Sequence, residues 1–193
     1  MVAGFKKYAA RFRLSMMAKK FVPGGINLPA DLINVQSVLI CLPSGQRELT
    51  MVKSLLPEIT RMFSNAQIYI LAPPGINIYD IFPRKGYFIL SPSPKHLTWS
   101  GLPKKGYIDI LSEHKYDLIF DMNLDANYFA QAILLSFPKT IRVGRANLLG
   151  QPYFNLEIKT RYLRDEKNIY KSMIETVNQL IDYGHSKNNH TTS

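Results

Sequence analysis

A single cysteine, Cys41, leaves the chain without a partner for an intrachain disulfide or a thiolate metal site. It sits inside the apolar run Ser37 to Leu42, where a free thiol packs as a small core residue. Long hydrophobic runs are missing too. No stretch reaches the roughly 18 to 20 apolar residues that cross a bilayer, and the N-terminus lacks the apolar segment of a secretory signal, so the expected location is cytoplasmic. His96, His114, His185 and His190 show no zinc-site spacing, and neither a Ser-His-Asp order nor a nucleophile elbow occurs. Metal chemistry, a bound cofactor and covalent hydrolysis are therefore not expected.

Acidic residues are absent from the first thirty positions. Lys6, Lys7, Arg11, Arg13, Lys19 and Lys20 all precede the first acid, Asp31, and supply +6 of the net charge of +10. Phe5, Tyr8, Ala9, Phe12 and Met16 recur at helical spacing among them, which predicts a basic amphipathic helix over residues 4 to 21. Pro23, Gly24 and Gly25 stop it and open a linker to about Val35. Helices of this kind bind anionic surfaces, with packing against the body or a partner protein as the alternative.

What is present in quantity is apolar residues, 46% of 193, enough for one substantial core. Continuous apolar runs mark buried strands at Ser37 to Leu42, Gln67 to Ala72, Tyr87 to Leu90, Asp117 to Met122 and Thr140 to Val143. Helical periodicity follows the first run (Leu49, Val52, Leu55, Leu56, Ile59, Phe63), and Lys104 to His114 and Asn127 to Phe137 also read as helices. A last amphipathic helix runs from Asp165, its expected N-cap, to about Tyr183. Strands joined through helices need crossovers, so the expected fold is one α/β, Rossmann-like domain over residues 36–184, with a mostly parallel sheet and helices on both faces. Residues 1–35 form the preceding helix and linker, and 185–193 a disordered polar tail.

Ligands of such sheets collect beyond the carboxyl ends of the strands, where strand order reverses. The expected order 3-2-1-4-5 puts that crevice between the first and fourth strands. The residues delivered there are Pro43, Ser44, Gly45, Gln46 and Arg47 from one turn, and Asn123, Asp125 and Asn127 from the other. Helix N-termini at both turns are able to hold an anion. The first turn nonetheless lacks a G-x-G-x-x-G fingerprint and the lysine of a phosphate loop. Asp121 ends a buried strand, a position more often structural than catalytic, while Asp125 is placed for chemistry or for helix capping. Arg142 and Arg145 bracket Gly144, where an arginine grips a phosphate or carboxylate, or forms a surface salt bridge.

Three segments carry a resemblance: VLICLPSGQRELTMVKSLLPEITRMFSNAQIYIL from Val38, KYDLIFDMNLDANYFAQAILLSFPKTIRVGR from Lys115, and QPYFNLEIKTRYLRDEKNIYKSMIETVNQLI from Gln151. Together they resemble the N-terminal domain of family 9 glycosyltransferases, the lipopolysaccharide heptosyltransferases, over about residues 36–182. The resemblance implies the acceptor-side half of a two-domain enzyme whose other half holds the nucleotide sugar, and the chain stops where that second domain would begin. The family's first turn carries a Gly-Asp pair whose aspartate is the catalytic base. The matching place here reads Gly45, Gln46, Arg47, and neither glutamine nor arginine accepts a hydroxyl proton at neutral pH; Glu48 is one residue displaced.

The expected function is accordingly a stand-alone, non-catalytic relative of the acceptor domain, acting as a binding or scaffold module. Its basic residues Lys6, Lys7, Arg11, Arg13, Lys19 and Lys20 would meet an anionic surface, making it a peripheral membrane protein. The alternatives are the acceptor-binding subunit of a split glycosyltransferase completed by a partner chain, and an RNA- or ribosome-binding protein using the basic arm.

Overall fold

A computed structural model describes residues 2–82, 85–146, 148–149 and 151–191. Its centre is a six-stranded, wholly parallel sheet. The strands are β1 (Ser37–Cys41), β2 (Gln67–Leu71), β3 (Phe88–Leu90), β4 (Leu118–Asp121), β5 (Ile141–Arg145) and β6 (Leu156–Ile158), in the order β3-β2-β1-β4-β5-β6. The helices are α1 (Val2–Lys20), α2 (Ala30–Ile33), α3 (Gln46–Met62), α4 (Lys105–Ser112), α5 (Tyr128–Leu134) and α6 (Glu166–Thr191). The chain thus has the Rossmann-like α/β fold expected, with β6 added at the edge beside β5.

Side chains alternate across the sheet, so each strand feeds two cores. Val38, Ile40, Ile68, Ile70, Leu118 and Phe120 face α3 and α6, which answer with Leu49, Val52, Leu56 and Ile59, and with Ile169, Met173, Ile174 and Val177. Leu39, Cys41, Tyr69, Leu71 and Ile119 face α4 and α5 through Tyr107, Leu111, Phe129, Ile133 and Leu134. Helices therefore cover both faces. Cys41 is buried, and burial raises its thiol pKa well above the ordinary value.

The N-terminal helix is a further layer, packed on the outside of α5. Ala10 and Leu14 are buried against Leu102, Ala132 and Leu135, with Met17, Ala18 and Phe21 beside them. The stretch after α1 is less linker-like than its Pro-Gly-Gly start implies. Gly24 N–H donates to Pro138 O at 2.8 Å, and α2 buries Leu32 in the main core.

Two boundaries differ from the sequence expectation for physical reasons. Helix α6 passes Tyr183 and runs to Thr191, so the stretch expected to be irregular from His185 is helical to that point; 192 and 193 lie outside the described residues. Gly184 is a packing notch rather than a stop, because a Cβ there would lie 2.8 Å from Ile33 and 3.0 Å from Pro29. Strand β5 likewise continues through Gly144 to Arg145. A side chain at 144 would collide with the Phe154 ring.

Candidate functional site

The turn after β1 and the turn after β4 open side by side, because these two strands are direct neighbours with Cys41 level with Asp121. Above their carboxyl ends lies a cavity of about 520 Å³. Ser44, Gly45 and Glu48 line it from one turn, Asn123, Leu124, Asp125, Ala126 and Asn127 from the other, with Tyr128 behind them and Lys7 of α1 at the rim.

Its floor is a ladder of polar side chains. Asn123 donates to Asp121 Oδ1 through its side-chain amide at 2.6 Å and its backbone N–H at 3.2 Å. Asn127 Nδ2 donates to Asn123 Oδ1 at 3.0 Å, and Asn127 Oδ1 accepts from the N–H groups of Phe129 and Ala130 at 3.0 and 3.2 Å. The N-cap of α5 is thus Asn127, not Asp125, and Asp125 is left facing the crevice. Burial pushes Asp121 up to about 6 despite the two hydrogen bonds from Asn123, which pull the other way. On the opposite face of the sheet, the Tyr170 hydroxyl of α6 donates to Met122 O at 2.9 Å and pins the start of the same turn.

At the first turn Gly45 is the N-cap of α3, and Glu48 sits at the third helical position. Its carboxylate folds back against Gly45, whose N–H favours the charged form. A Cβ at position 45 would collide with Glu48 Oε2, so glycine is what admits this arrangement. Burial raises the Glu48 pKa, with the charges of Glu166 and Asp125 adding to the shift and the Gly45 bond opposing it. At the start of α5 the anion-binding potential is taken up by Asn127, whereas the N–H groups that open α3 have no side-chain cap and lie beside the Glu48 carboxylate.

Of the sequence candidates, Ser44, Gly45, Asn123 and Asp125 come together around one space. Gln46 and Arg47 do not line it. Both are exposed on the first turn of α3, and Arg47 Nε lies 3.2 Å from Glu166 Oε2 in an exposed ion pair. Arg145 lines a neighbouring cavity of about 300 Å³ with Leu124 and Asp125, and donates to Leu163 O at 3.3 Å. Lys7, assigned from sequence to a surface role, reaches the crevice rim because α1 packs on α5. Nothing in its spacing indicates that.

Arg142 neither grips a ligand nor bridges at the surface. It is 1% exposed and stands near the amino end of β5, away from the crevice. Its guanidinium donates to the carbonyls of Tyr153, Phe137, Pro138, Thr140 and Pro152 and stacks under Phe21 at 4.7 Å. Burial lowers its pKa to about 10. A larger cavity, about 760 Å³, opens at the amino ends of β4 and β5. Its polar groups already serve the backbone: Asp117 accepts from Gln36 N–H, Asp31 from Asn27 N–H, and Thr140 donates to Tyr116 O. The carboxyl-end crevice is the better ligand site on these grounds, and by the general rule for open parallel sheets. Among the described residues no group of His, Cys, Asp and Glu is arranged to hold a metal ion.

The geometry defines a single Rossmann-like α/β domain with a ligand-sized crevice at the carboxyl end of its parallel sheet. The solved structure of E. coli heptosyltransferase WaaC with ADP is similar to this chain, with a TM-score of 0.52 and 13% sequence identity over 76% of this chain and 47% of the enzyme. The chain spans about half the length of that enzyme, and at this identity the likeness establishes the fold. The chain belongs to the family of unknown function DUF6913, whose model matches residues 84–180, the segment that includes Asn123, Asp125 and Asn127. No curated protein matches the sequence.

Proposed function

We propose that this protein is a non-catalytic relative of a heptosyltransferase acceptor domain that binds a neutral, hydroxyl-rich ligand of the sugar class in the crevice above β1 and β4. The observation that carries this reading is that the start of α5 is closed by Asn127 on Phe129 and Ala130, and that the carboxylates of Glu48 and Asp125 line the same space. A phosphate would meet those two carboxylates, which oppose the pull of the uncapped start of α3. Sugar hydroxyls instead donate to carboxylates and exchange hydrogen bonds with Ser44 and Asn123.

Transfer chemistry is a poor fit because Gln46 and Arg47 stand where the resemblance places the base, and Glu48 is folded back against Gly45. A second reading, the acceptor-binding subunit of a split glycosyltransferase, draws support from the raised pKa of the same carboxyl, which moves it toward a base useful near neutral pH. The two readings separate in one assay. The purified chain should bind saccharides by calorimetry, lose that binding on Asp125→Asn or Asn123→Ala, and leave nucleotide sugars unconsumed. Turnover abolished by Glu48→Gln would establish the second reading and overturn the first.

A further inference from the structure

We propose that the outward face of α1, together with Trp99, is a docking surface for an anionic lipid membrane, independent of whatever the crevice binds. Helix α1 has two apolar faces. One, with Ala10, Leu14, Met17 and Phe21, is spent against the body. The other carries Phe5, Tyr8, Phe12 and Met16, which are 66, 68, 61 and 43% exposed. These four follow one another at spacings of three and four, so they form a continuous stripe along the solvent side. An exposed apolar stripe of this size on a helix that already has a packed face calls for an interaction partner.

A second element contributes to the same patch. Trp99, 60% exposed, stacks on Phe5 with ring centroids 5.7 Å apart and planes 21° apart. It sits at the corner of a tight turn closed by Gly101 N–H donating to Thr98 O at 3.0 Å, with Gly101 at φ +85°, and the Thr98 N–H donates to Leu102 O at 2.8 Å. The indole is therefore held outward by backbone geometry.

Charge selects the occupant. At about 100° per residue, Lys6, Arg13 and Lys20 fall along one flank of the aromatic stripe and Arg11 along the other, Lys19 continues the stripe at its C-terminal end, and Lys7 turns away toward the crevice rim. No acid accompanies them on α1, and none occurs between Asp80 and Asp109, the segment that carries Trp99. An apolar centre with cationic flanks is the pattern of a helix lying in the headgroup region, rings in the acyl boundary and ammonium groups on lipid phosphates. Tryptophan prefers the same depth. A second copy would bring the like charges of Lys6, Arg11, Arg13, Lys19 and Lys20 face to face. A nucleic-acid strand needs a cationic groove to follow, whereas this face is a convex helix with its cations at the edges. Among the described residues no helix is long and apolar enough to cross a membrane, so the contact is peripheral.

Trp99 is the chain's one tryptophan, so its emission reports on this patch directly. The full chain is titrated with vesicles of phosphatidylcholine and with vesicles of phosphatidylcholine and phosphatidylglycerol in equal parts. The expected result is a blue shift, with quenching by brominated acyl chains, on the anionic vesicles only. Phe5→Ser or Phe12→Ser should weaken binding about tenfold, the value of one buried aromatic ring. Lys6→Glu with Arg13→Glu should weaken it comparably, and the urea midpoints should stay unchanged because these side chains are exposed. No shift on the anionic vesicles, or an equal shift on both compositions, would overturn the proposal. A shift produced by an RNA oligonucleotide or by protein concentration alone, without one on vesicles, would overturn it in favour of a nucleic acid or a second copy.

Discussion

At the level of single residues, Asp121 and Arg142 are two buried charges handled in opposite ways. Asp121 has only the amide and N–H of Asn123, and burial lifts its pKa from 3.8 to about 6. Between those values the folded state holds a proton that the unfolded chain has released, so stability is complete below about pH 4 and falls as pH rises through 6. The loss is on the order of 3 kcal/mol. Asp121→Asn keeps an acceptor for Asn123 and removes the ionisation, so its thermal midpoint should be flatter between pH 4 and 7 than that of the parent. Asn123→Ala removes the side-chain one of the two bonds that favour the charged form and should move the Asp121 titration still higher, readable as a carboxyl carbon shift by NMR. Arg142 has five carbonyl acceptors instead of a counter-ion. Arg142→Met strands those carbonyls and should cost about 3 to 5 kcal/mol in urea unfolding. A substitution effect within error would contradict this structural role.

At the level of elements, the strands were legible because each is a short apolar run closed by turn residues, and the order around β1 and β4 follows from their helical crossovers. Leu156–Ile158 escaped because a three-residue edge strand flanked by Asn155 and Lys159 has no apolar run to show. The capping residue of α5 is left open by the sequence for a related reason. Asp125 and Asn127 both suit an N-cap, and only the hydrogen bonds to Phe129 and Ala130 decide between them. For α1, periodicity found the outward stripe of Phe5, Tyr8, Phe12 and Met16. It did not find the inward one, because Ala10, Leu14 and Met17 lie among basic residues that share their half of the helix. The two faces predict opposite outcomes. Leu14→Ala should cost about 2 to 4 kcal/mol, since Leu14 is 2% exposed, whereas Phe12→Ala should change stability by less than about 0.5 kcal/mol. Equal effects in chemical denaturation would mean that α1 is not seated on α5 as described.

At the level of the whole molecule, the sheet topology brings two turns 80 residues apart in sequence into one crevice, as Ser44 and Asn123 illustrate. The place of that crevice was readable from strand order. Its chemistry was not, because whether a helix start is open to an anion depends on where Glu48 and Asn127 turn their side chains. The account therefore rests on a crevice lined by carboxylates with the α5 start closed, and amide NMR on the full chain tests it most directly. Neutral mono- and disaccharides, inorganic phosphate and ADP are titrated separately while the Gly45, Glu48, Asn123, Asp125 and Phe129 amides are followed. The account predicts saturable shifts at these positions with a saccharide, and none with phosphate or ADP at the same concentrations. Saturable shifts of Gly45 and Phe129 with phosphate would show that the crevice takes an anion despite Glu48, Asp125 and the Asn127 cap, and would contradict it.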